Sequence, residues 1–209
     1  MMKQLYFLIA PLLACILVLM SCNDSPNLQT GDIIFVCIPD EKPGADPLFI
    51  HTAIVEINEA GEQMIVDATY KRGIAEYPID SFISDYQRHD GSYPTFEVYR
   101  LKDTTDIDQF IANAKAFIGE SYDVEFVPDN GRHYCTELIY DSYIRNGQHI
   151  FDQTTLDFHD ADGDYPAFWV KIFGRLGAEI PFGTIGTTPL HMHSSDAIEY
   201  VTNIIPKQQ

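Results

Sequence analysis

The stretch "HYCTELIYDSYIRNG", residues 133–147, places a cysteine at the first turn of a predicted helix. Leu138, Ile139 and Tyr143 recur at helical spacing on one face, and Gly147 follows the predicted end. A helix N-terminus presents unpaired N–H groups and a partial positive charge, which favour a thiolate over a thiol. Because a structural cysteine is more often buried within an element, the position of Cys135 indicates a candidate nucleophile.

A cysteine nucleophile needs a histidine close to it in space. The chain has seven histidines, and His51 differs from the others because it opens an apolar strand pattern, "HTAIVEI". His133 is only two residues from Cys135, so on a helix entry the two side chains should diverge. Three further histidines lie in polar, loop-like sequence and are interpreted as surface residues: His89, His149 and His159. His51 is therefore the candidate base.

A predicted hairpin supplies a partner for His51. The patterns "HTAIVEI" and "QMIVDAT" flank the Gly-containing turn "NEAGE", residues 58–62. With this turn, Thr69 lies across from His51, and Asp67 lies diagonal to it on the same face. A carboxylate there can accept the His51 N–H and fix the tautomer of the imidazole. A one-residue slip would turn Asp67 away, and Asp67 as a solubility residue of a strand edge is the alternative.

The other patterns predict an α+β fold, with a small, mainly antiparallel sheet packed by helices. Further strands are predicted for "GDIIFVC" (31–37), "GIAEYPI" and "TFEVYRL" (95–101), and the Pro- and acid-rich residues 38–50 are predicted as a loop. Three more helices are predicted: 104–119 with an approximate capping box of Thr105 and Asp108, "FISDYQ" capped by Asp80 or Ser81, and "YPAFWVKIFGRLG" with Pro166 in its first turn.

The first residues predict a targeting segment outside this fold. Lys3, an apolar run and the sequence "LMSC" resemble a bacterial lipoprotein signal that is cleaved before Cys22, which then carries lipid. An ordinary secretory signal or a single membrane anchor is the alternative. We expect a signal peptide at 1–21, a polar tether at 22–30 and one domain at 31–209. The protein would then be held in the cell envelope, on the periplasmic face or at the outer membrane.

The net charge limits which molecules the surface can bind, and the cysteine content limits which disulfides can form. With 31 acidic and 13 basic residues, the net charge of −18 argues against nucleic acid or anionic lipid headgroups as partners of the surface. Membrane contact is therefore expected from the lipid on Cys22. Beyond the targeting segment only Cys37 and Cys135 remain, and a disulfide between them stays open in an oxidising envelope.

The ordered set of motifs resembles the permuted papain-like amidases, the YiiX and YaeF relatives of the NlpC-type cell-wall peptidases. The set runs from "GDIIF" through His51, an acid on the next strand and "GESYD" to "YCTELIYDSY". It spans Gly31 to about Arg145, and "TPLHMHSSDAIEYV" resembles the family's closing Pro-containing strand and short helix. In the unpermuted enzymes the cysteine helix precedes the histidine strand.

This resemblance implies a role for each matching residue. Cys135 would be the nucleophile, His51 the general base and Asp67 the orienting residue. Tyr122 matches a tyrosine beside the cysteine and would help to hold the oxyanion, together with the backbone N–H of Cys135. Asp123 would bind a substrate ammonium group, or would only cap the helix.

No metal or cofactor is expected. Residues 157–166, "DFHDADGDYP", lack the Gly and the bidentate Glu of a calcium loop, and "HMH" (191–193) offers two imidazoles on an extended segment without a third ligand. The resulting expectation is a cysteine hydrolase that cleaves an amide in peptidoglycan stem peptides or related envelope compounds. A lipid deacylase or acyltransferase of the same fold and a non-catalytic binding lipoprotein are the alternatives.

Overall fold

The computed structural model describes residues 27–206. The predicted signal peptide, Cys22 and most of the tether lie outside the described residues. Within 27–206, no helix has the length and apolarity needed to cross a membrane. The elements follow in chain order: β1 Ile33–Ile38, β2 Leu48–Ile57, β3 Gln63–Thr69, β4 Gly73–Pro78, α1 Ile79–Asp85, β5 Thr95–Leu101, α2 Ile107–Ala116, α3 Cys135–Ser142, β6 Ile144–Arg145, β7 Gln148–His149, β8 Thr154–Thr155, α4 Ala167–Leu176, β9 Ile185–Gly186, α5 Pro189–His193 and β10 Ile198–Ile204.

A six-stranded antiparallel sheet in the order β10-β5-β1-β2-β3-β4 organises the molecule. Strand β1 is central and carries a continuous buried apolar run, because both faces of the sheet are covered. Helices α2 and α3 pack on one face, where Phe35 and Phe110 lie, and α1 packs on the other through Phe82. The predicted α+β class with a mainly antiparallel sheet is confirmed.

The predicted hairpin register is also confirmed. Ile57 pairs with Gln63, and the β2–β3 ladder continues to the pair Ile54 and Val66. Beyond that pair the two strands run on without further pairing to one another. His51 therefore lies on β2 where that strand is no longer bonded to β3 and is paired to β1 alone.

Several local predictions were wrong in detail. Strand β2 begins at Leu48, so His51 is its fourth residue; a register shift beside Val36 and Cys37 of β1 lets the end of the predicted loop join the ladder. Helix α2 begins at Ile107 after Asp106 in the left-handed region, and no side chain caps it. Helix α1 likewise starts directly after strand β4, without a capping side chain.

The C-terminal segment differs from the prediction in order. The short helix α5 contains the proline and comes first, and strand β10 follows it along the edge of the sheet. This arrangement arises because the Thr188 hydroxyl caps α5 by accepting the His191 N–H at 3.1 Å. Pro189 then sits at the first helical position, which its fixed φ favours.

A small, mostly aromatic cluster joins Phe126 to Phe158 and Phe173 of the C-terminal part of the chain. Tyr134, which precedes α3, joins this cluster and accepts the Thr187 N–H at 2.9 Å through its hydroxyl oxygen. Two residues further on, the Thr136 hydroxyl donates to the Thr187 carbonyl at 3.1 Å. The start of α3 is thus fastened to the C-terminal half of the chain.

Candidate active site

Cys135 is the first residue of α3, as its position in the sequence indicated. The helix packs against both β2 and β3, so its N-terminus lies close to the part of the hairpin where the two strands no longer pair. Glu137 accepts the Tyr134 N–H at 3.4 Å, which satisfies one of the unpaired amides of the first turn. Cys135 is buried, with 6% of the residue surface exposed, and is not bonded to another cysteine.

His51 and Asp67 form a buried pair. The His51 Nε2 lies 2.7 Å from the Asp67 Oδ1, and the two residues are 8% and 1% exposed. The second carboxylate oxygen of Asp67 accepts a hydrogen bond from the Tyr77 hydroxyl at 2.6 Å. Thr69, the other residue that the register placed near His51, accepts the Arg72 N–H through its hydroxyl instead. The partner of the imidazole is therefore Asp67.

The electrostatics of His51 reflect two neighbours. Burial disfavours the imidazolium, but the negative charges of Asp67 and Cys135 and their hydrogen bonds outweigh burial and raise the pKa of His51 well above its usual value. Since Nε2 is engaged by Asp67, Nδ1 is the ring nitrogen left for the thiol. The geometry can therefore hold a thiolate beside an imidazolium.

Aromatic rings of helix α1 and of the residue after it pack beside His51. The His51 ring lies 6.2 Å from that of Phe82 and 6.0 Å from that of Tyr86, measured between centroids. Burial, followed by the charges of Asp67 and Cys135, raises the pKa of the Tyr86 hydroxyl well above its usual value. Tyr86 therefore presents a neutral hydroxyl close to the three candidate catalytic groups.

Tyr122 is the next tyrosine close to Cys135. Its backbone forms an isolated bridge with His133, two residues before the cysteine. Burial and then the charge of Cys135 raise the pKa of Tyr122 well above its usual value, so the hydroxyl keeps its proton. A neutral phenol beside the nucleophile has the chemistry required of an oxyanion donor.

Asp123 does not face the site. It is fully buried, and its two oxygens accept the Glu125 N–H at 3.0 Å and the Val127 N–H at 2.7 Å. Arg132 lies 3.7 Å from the first of these oxygens. The predicted binding of a substrate ammonium group by Asp123 is therefore not supported. The carboxylate instead holds the turn after Tyr122, and since α3 begins only at Cys135, Asp123 does not cap that helix either.

His133 points away from Cys135, as expected for neighbours at a helix entry. Its Nδ1 lies 3.0 Å from Glu120 and its Nε2 lies 3.3 Å from Asp141. The main chain of His133 meanwhile bonds on both sides of Tyr122. The residue therefore fixes the strand-like segment that carries Tyr122 next to the start of α3.

The remaining histidines lie elsewhere. His89 and His149 are exposed, and the His159 Nδ1 lies 2.6 Å from Asp157. The prediction of an extended "HMH" segment was wrong, because His191 and His193 lie on helix α5 and two helical residues two apart do not share a face. The His193 Nε2 instead lies 3.1 Å from Glu97.

Cys37 is the second thiol of the described chain and is also free. Burial, with a smaller contribution from the charge of Glu97, raises its pKa to about 11. A buried thiol that ionises so reluctantly is a poor nucleophile. The disulfide with Cys135, which the sequence left open, is not formed.

Two tyrosines of the site were missed from the sequence. Tyr77 follows from the hairpin argument carried one strand further, because Asp67 pairs with Ala75 and so has Tyr77 as its diagonal neighbour on the same face. Tyr86 carries no such signal: the helix predicted for "FISDYQ" includes it, although α1 ends at Asp85, but nothing in the sequence places that helix beside His51.

Among solved structures, the crystal structure of the metalloprotein YiiX from Escherichia coli O157:H7 is similar to this chain. The TM-score is 0.63 at 20% sequence identity, and the match covers 85% of this chain and 98% of that chain. In residues 27–206, no three His, Cys, Asp or Glu side chains come together as a candidate metal site. No curated protein matched the sequence.

Along the chain, the site residues follow in the order histidine, acid and cysteine. The helix that carries the cysteine therefore comes after the strands that carry its two partners. The family model described as permuted papain-like amidase enzyme, YaeF/YiiX, C92 family, matches residues 27–202. This range includes every residue of the site, five whole strands of the six-stranded sheet and most of β10. The chain belongs to the permuted papain-like amidase family.

Proposed function

We propose that this protein is a cysteine hydrolase that cleaves an amide bond through Cys135, His51 and Asp67. The observation that carries the proposal is the 2.7 Å contact between His51 Nε2 and the buried Asp67, with Cys135 at the start of a helix beside the same imidazole. An acid that occupies one ring nitrogen fixes the tautomer and leaves the other nitrogen for the thiol. Membership of an amidase family supports the same reaction class.

The reaction starts from the ion pair. The Cys135 proton resides on His51, and the thiolate attacks the carbonyl carbon of the amide, whose oxygen becomes an oxyanion. The backbone N–H of Cys135 and the Tyr122 hydroxyl are the donors proposed for this oxyanion. His51 then gives its proton to the leaving amine, and a thioester remains on Cys135.

Hydrolysis of the thioester completes the cycle. His51, now neutral, takes a proton from water, and the resulting hydroxide attacks the thioester carbonyl. The carboxylic acid product leaves as the proton returns to the Cys135–His51 pair. Asp67 stabilises the imidazolium in both halves of the cycle without itself taking the proton.

The substrates proposed are peptidoglycan stem peptides or related amide-linked compounds of the cell envelope. Support comes from the lipoprotein-like sequence that ends at Cys22, which would place the domain among such compounds. The acidic surface suits an attachment through lipid at Cys22 rather than through contacts with anionic headgroups.

The test compares variants of the two cysteines. Cys135→Ala should abolish release of free amine from a panel of envelope-derived peptide amides, whereas the matched variant Cys37→Ala should keep turnover close to that of the unmodified protein. Parallel assays with phospholipid and N-acyl substrates separate an amidase from a lipid deacylase. If Cys135→Ala leaves hydrolysis intact, or if no amide is cleaved while lipids are, the proposed amidase function is wrong.

A further inference from the structure

A cavity lies next to the candidate catalytic residues. Its volume is about 500 Å³, and it is bordered by the segment 38–50, which joins β1 to β2, by Tyr86 and Arg88, and by the first half of α4. Tyr86 connects it to the active site, since its ring packs near that of His51. Ile50, the residue before His51, lines the cavity as well. We call this cavity the loop cleft; its volume suits a small group of a substrate.

The loop cleft contains two cations that have no carboxylate within 4 Å, which is the less common situation in the described part of this acidic protein. In residues 27–206, seven of the eleven lysines and arginines have a carboxylate within 4 Å. Four have none at that distance: Arg88, Lys102, Lys171 and Arg175. Two of these four, Arg88 and Lys171, line the loop cleft. They come from different elements, the segment after α1 and helix α4, which makes their meeting at one cavity a property of the fold.

The loop side of the same cavity is acidic. Asp40 and Glu41 line it and belong to the segment 38–50, whereas the two cations belong to other segments of the chain. One Asp40 oxygen accepts the Lys42 N–H at 2.8 Å, which leaves the other oxygen free for a ligand. Asp90 lies near Arg88 but does not line the cavity. The loop cleft therefore offers cations from two elements and carboxylates from a third.

We propose that the loop cleft binds a zwitterionic end group of the substrate, with its carboxylate at Arg88 and Lys171 and its ammonium at Asp40 and Glu41. This inference rests on the proposed function, because it names the part of the amide substrate that lies beside His51. Charges of both signs are matched by a free amino-acid end, whereas an acyl chain would leave all four side chains without partners.

The first arm of the test needs no substitution in the loop cleft. The Cys135→Ala protein is labelled with ¹⁵N and titrated with alanylalanine, its N-acetyl form and its C-terminal amide, and the resonances of Tyr86 and Phe168 are followed. The free dipeptide should bind most tightly, and each cap should weaken binding about fivefold, the magnitude of one exposed ion pair. Equal binding of all three forms would overturn the proposal.

The second arm assigns the charges to residues. Arg88→Gln with Lys171→Gln should weaken the free dipeptide and the N-acetyl form but leave the amide form unchanged. The matched control, Lys102→Gln with Arg175→Gln, makes the same change in net charge away from the cavity and should alter none of them. If the control pair weakens binding equally, the effect is the overall charge and the proposed subsite is wrong.

Binding in the Cys135→Ala protein does not depend on turnover. Loss of the proposed function would appear as absence of Cys135-dependent hydrolysis with the binding pattern preserved. If the proposed subsite is wrong, hydrolysis will not respond to the N-acetyl and amide groups on the dipeptide or to the Arg88 and Lys171 variants.

Discussion

Replacing Asp67 with asparagine tests the geometry of the site most directly. In the wild-type chain, one carboxylate oxygen faces His51 Nε2 at 2.7 Å and the other accepts the Tyr77 hydroxyl at 2.6 Å. Asparagine keeps the shape but has only one oxygen. Because Tyr77 donates, that oxygen should turn to Tyr77 and the amide NH₂ should turn to His51. Nε2 must then accept, so the proton moves to Nδ1, which can no longer take the thiol proton.

The size of the loss follows from the charge removed. Two unit charges about 4 Å apart in an effective dielectric of about 20 attract by about 4 kcal/mol. If Asp67 stabilises the imidazolium of the resting ion pair by this amount, removing its charge lowers the population of that pair, and with it the rate, by up to about 1,000-fold. Neutralisation of the acid in a serine-protease triad costs about 10,000-fold, one order of magnitude more than this figure. Asp67→Asn should therefore reduce turnover by about three orders of magnitude while the protein still folds.

Tyr77→Phe provides the internal control, because its effect should change sign with the background. Alone, it leaves one buried Asp67 oxygen without its donor and should reduce activity several-fold. Combined with Asp67→Asn, it removes the donor that held the amide oxygen away from His51, so that the amide can turn. A neutral hydrogen bond contributes about 1 kcal/mol, so the double variant should recover about fivefold over Asp67→Asn.

The assay is hydrolysis of a peptide amide across pH, with thermal melting as a control for folding. Asp67 raises the pKa of His51, so removing its charge lowers that pKa, and the alkaline limb of activity should move to lower pH. Asp67→Asn activity above about one third of wild type would refute the electrostatic argument. A further loss on adding Tyr77→Phe would refute the argument on amide orientation.

Three other predictions concern reactivity, stability and anchoring. Cys135 should react with iodoacetamide at least about 100-fold faster than Cys37 at pH 7.5, because the pKa of Cys37 is raised to about 11, and His51→Ala should slow the labelling of Cys135; equal rates by mass spectrometry would contradict this. Burial raises the pKa of Glu137 to about 8 from 4.5, so the stability it contributes is full below pH 4.5 and is lost as pH rises through 8. The resulting decline in the free energy of unfolding is at most about 5 kcal/mol. Glu137→Gln should reduce this decline, as measured by urea unfolding at pH 5 and pH 9. Cys22→Ser should move the protein from the detergent phase to the aqueous phase or leave it unprocessed, and full membrane partition of a cleaved variant would exclude a lipid anchor at Cys22.

The candidate triad was accessible from the sequence because each step used a local rule. The period of two along a strand and the length of the turn at 58–62 determine which residues share a face, and the β2–β3 ladder follows that register. The position of Cys135 at a helix start likewise followed from helical spacing alone. Local rules sufficed here because His51 and Asp67 are separated by one hairpin.

Features that depend on distant segments were not accessible in this way. The loop cleft joins residues near positions 40, 88 and 171, and no periodic pattern in the sequence relates these segments. Tyr86 approaches His51 only because α1 packs on the sheet face opposite α3. The start of β2 at Leu48 was missed for a related reason, since the irregular register beside Cys37 depends on the partner strand.

Three buried carboxylates near Cys135 show why residue type alone does not determine a role. Asp67 faces an imidazole and a phenol, so its charge is available to a neighbouring cation. Asp123 faces two backbone N–H groups, which use its oxygens to hold a turn. Glu137 has one backbone donor at 3.4 Å, too little to offset burial, and its pKa rises until the neutral acid predominates at pH 7. The donors that face a carboxylate therefore determine whether it acts as a charge, holds a turn or stays a neutral acid, and those donors are brought together only by the fold.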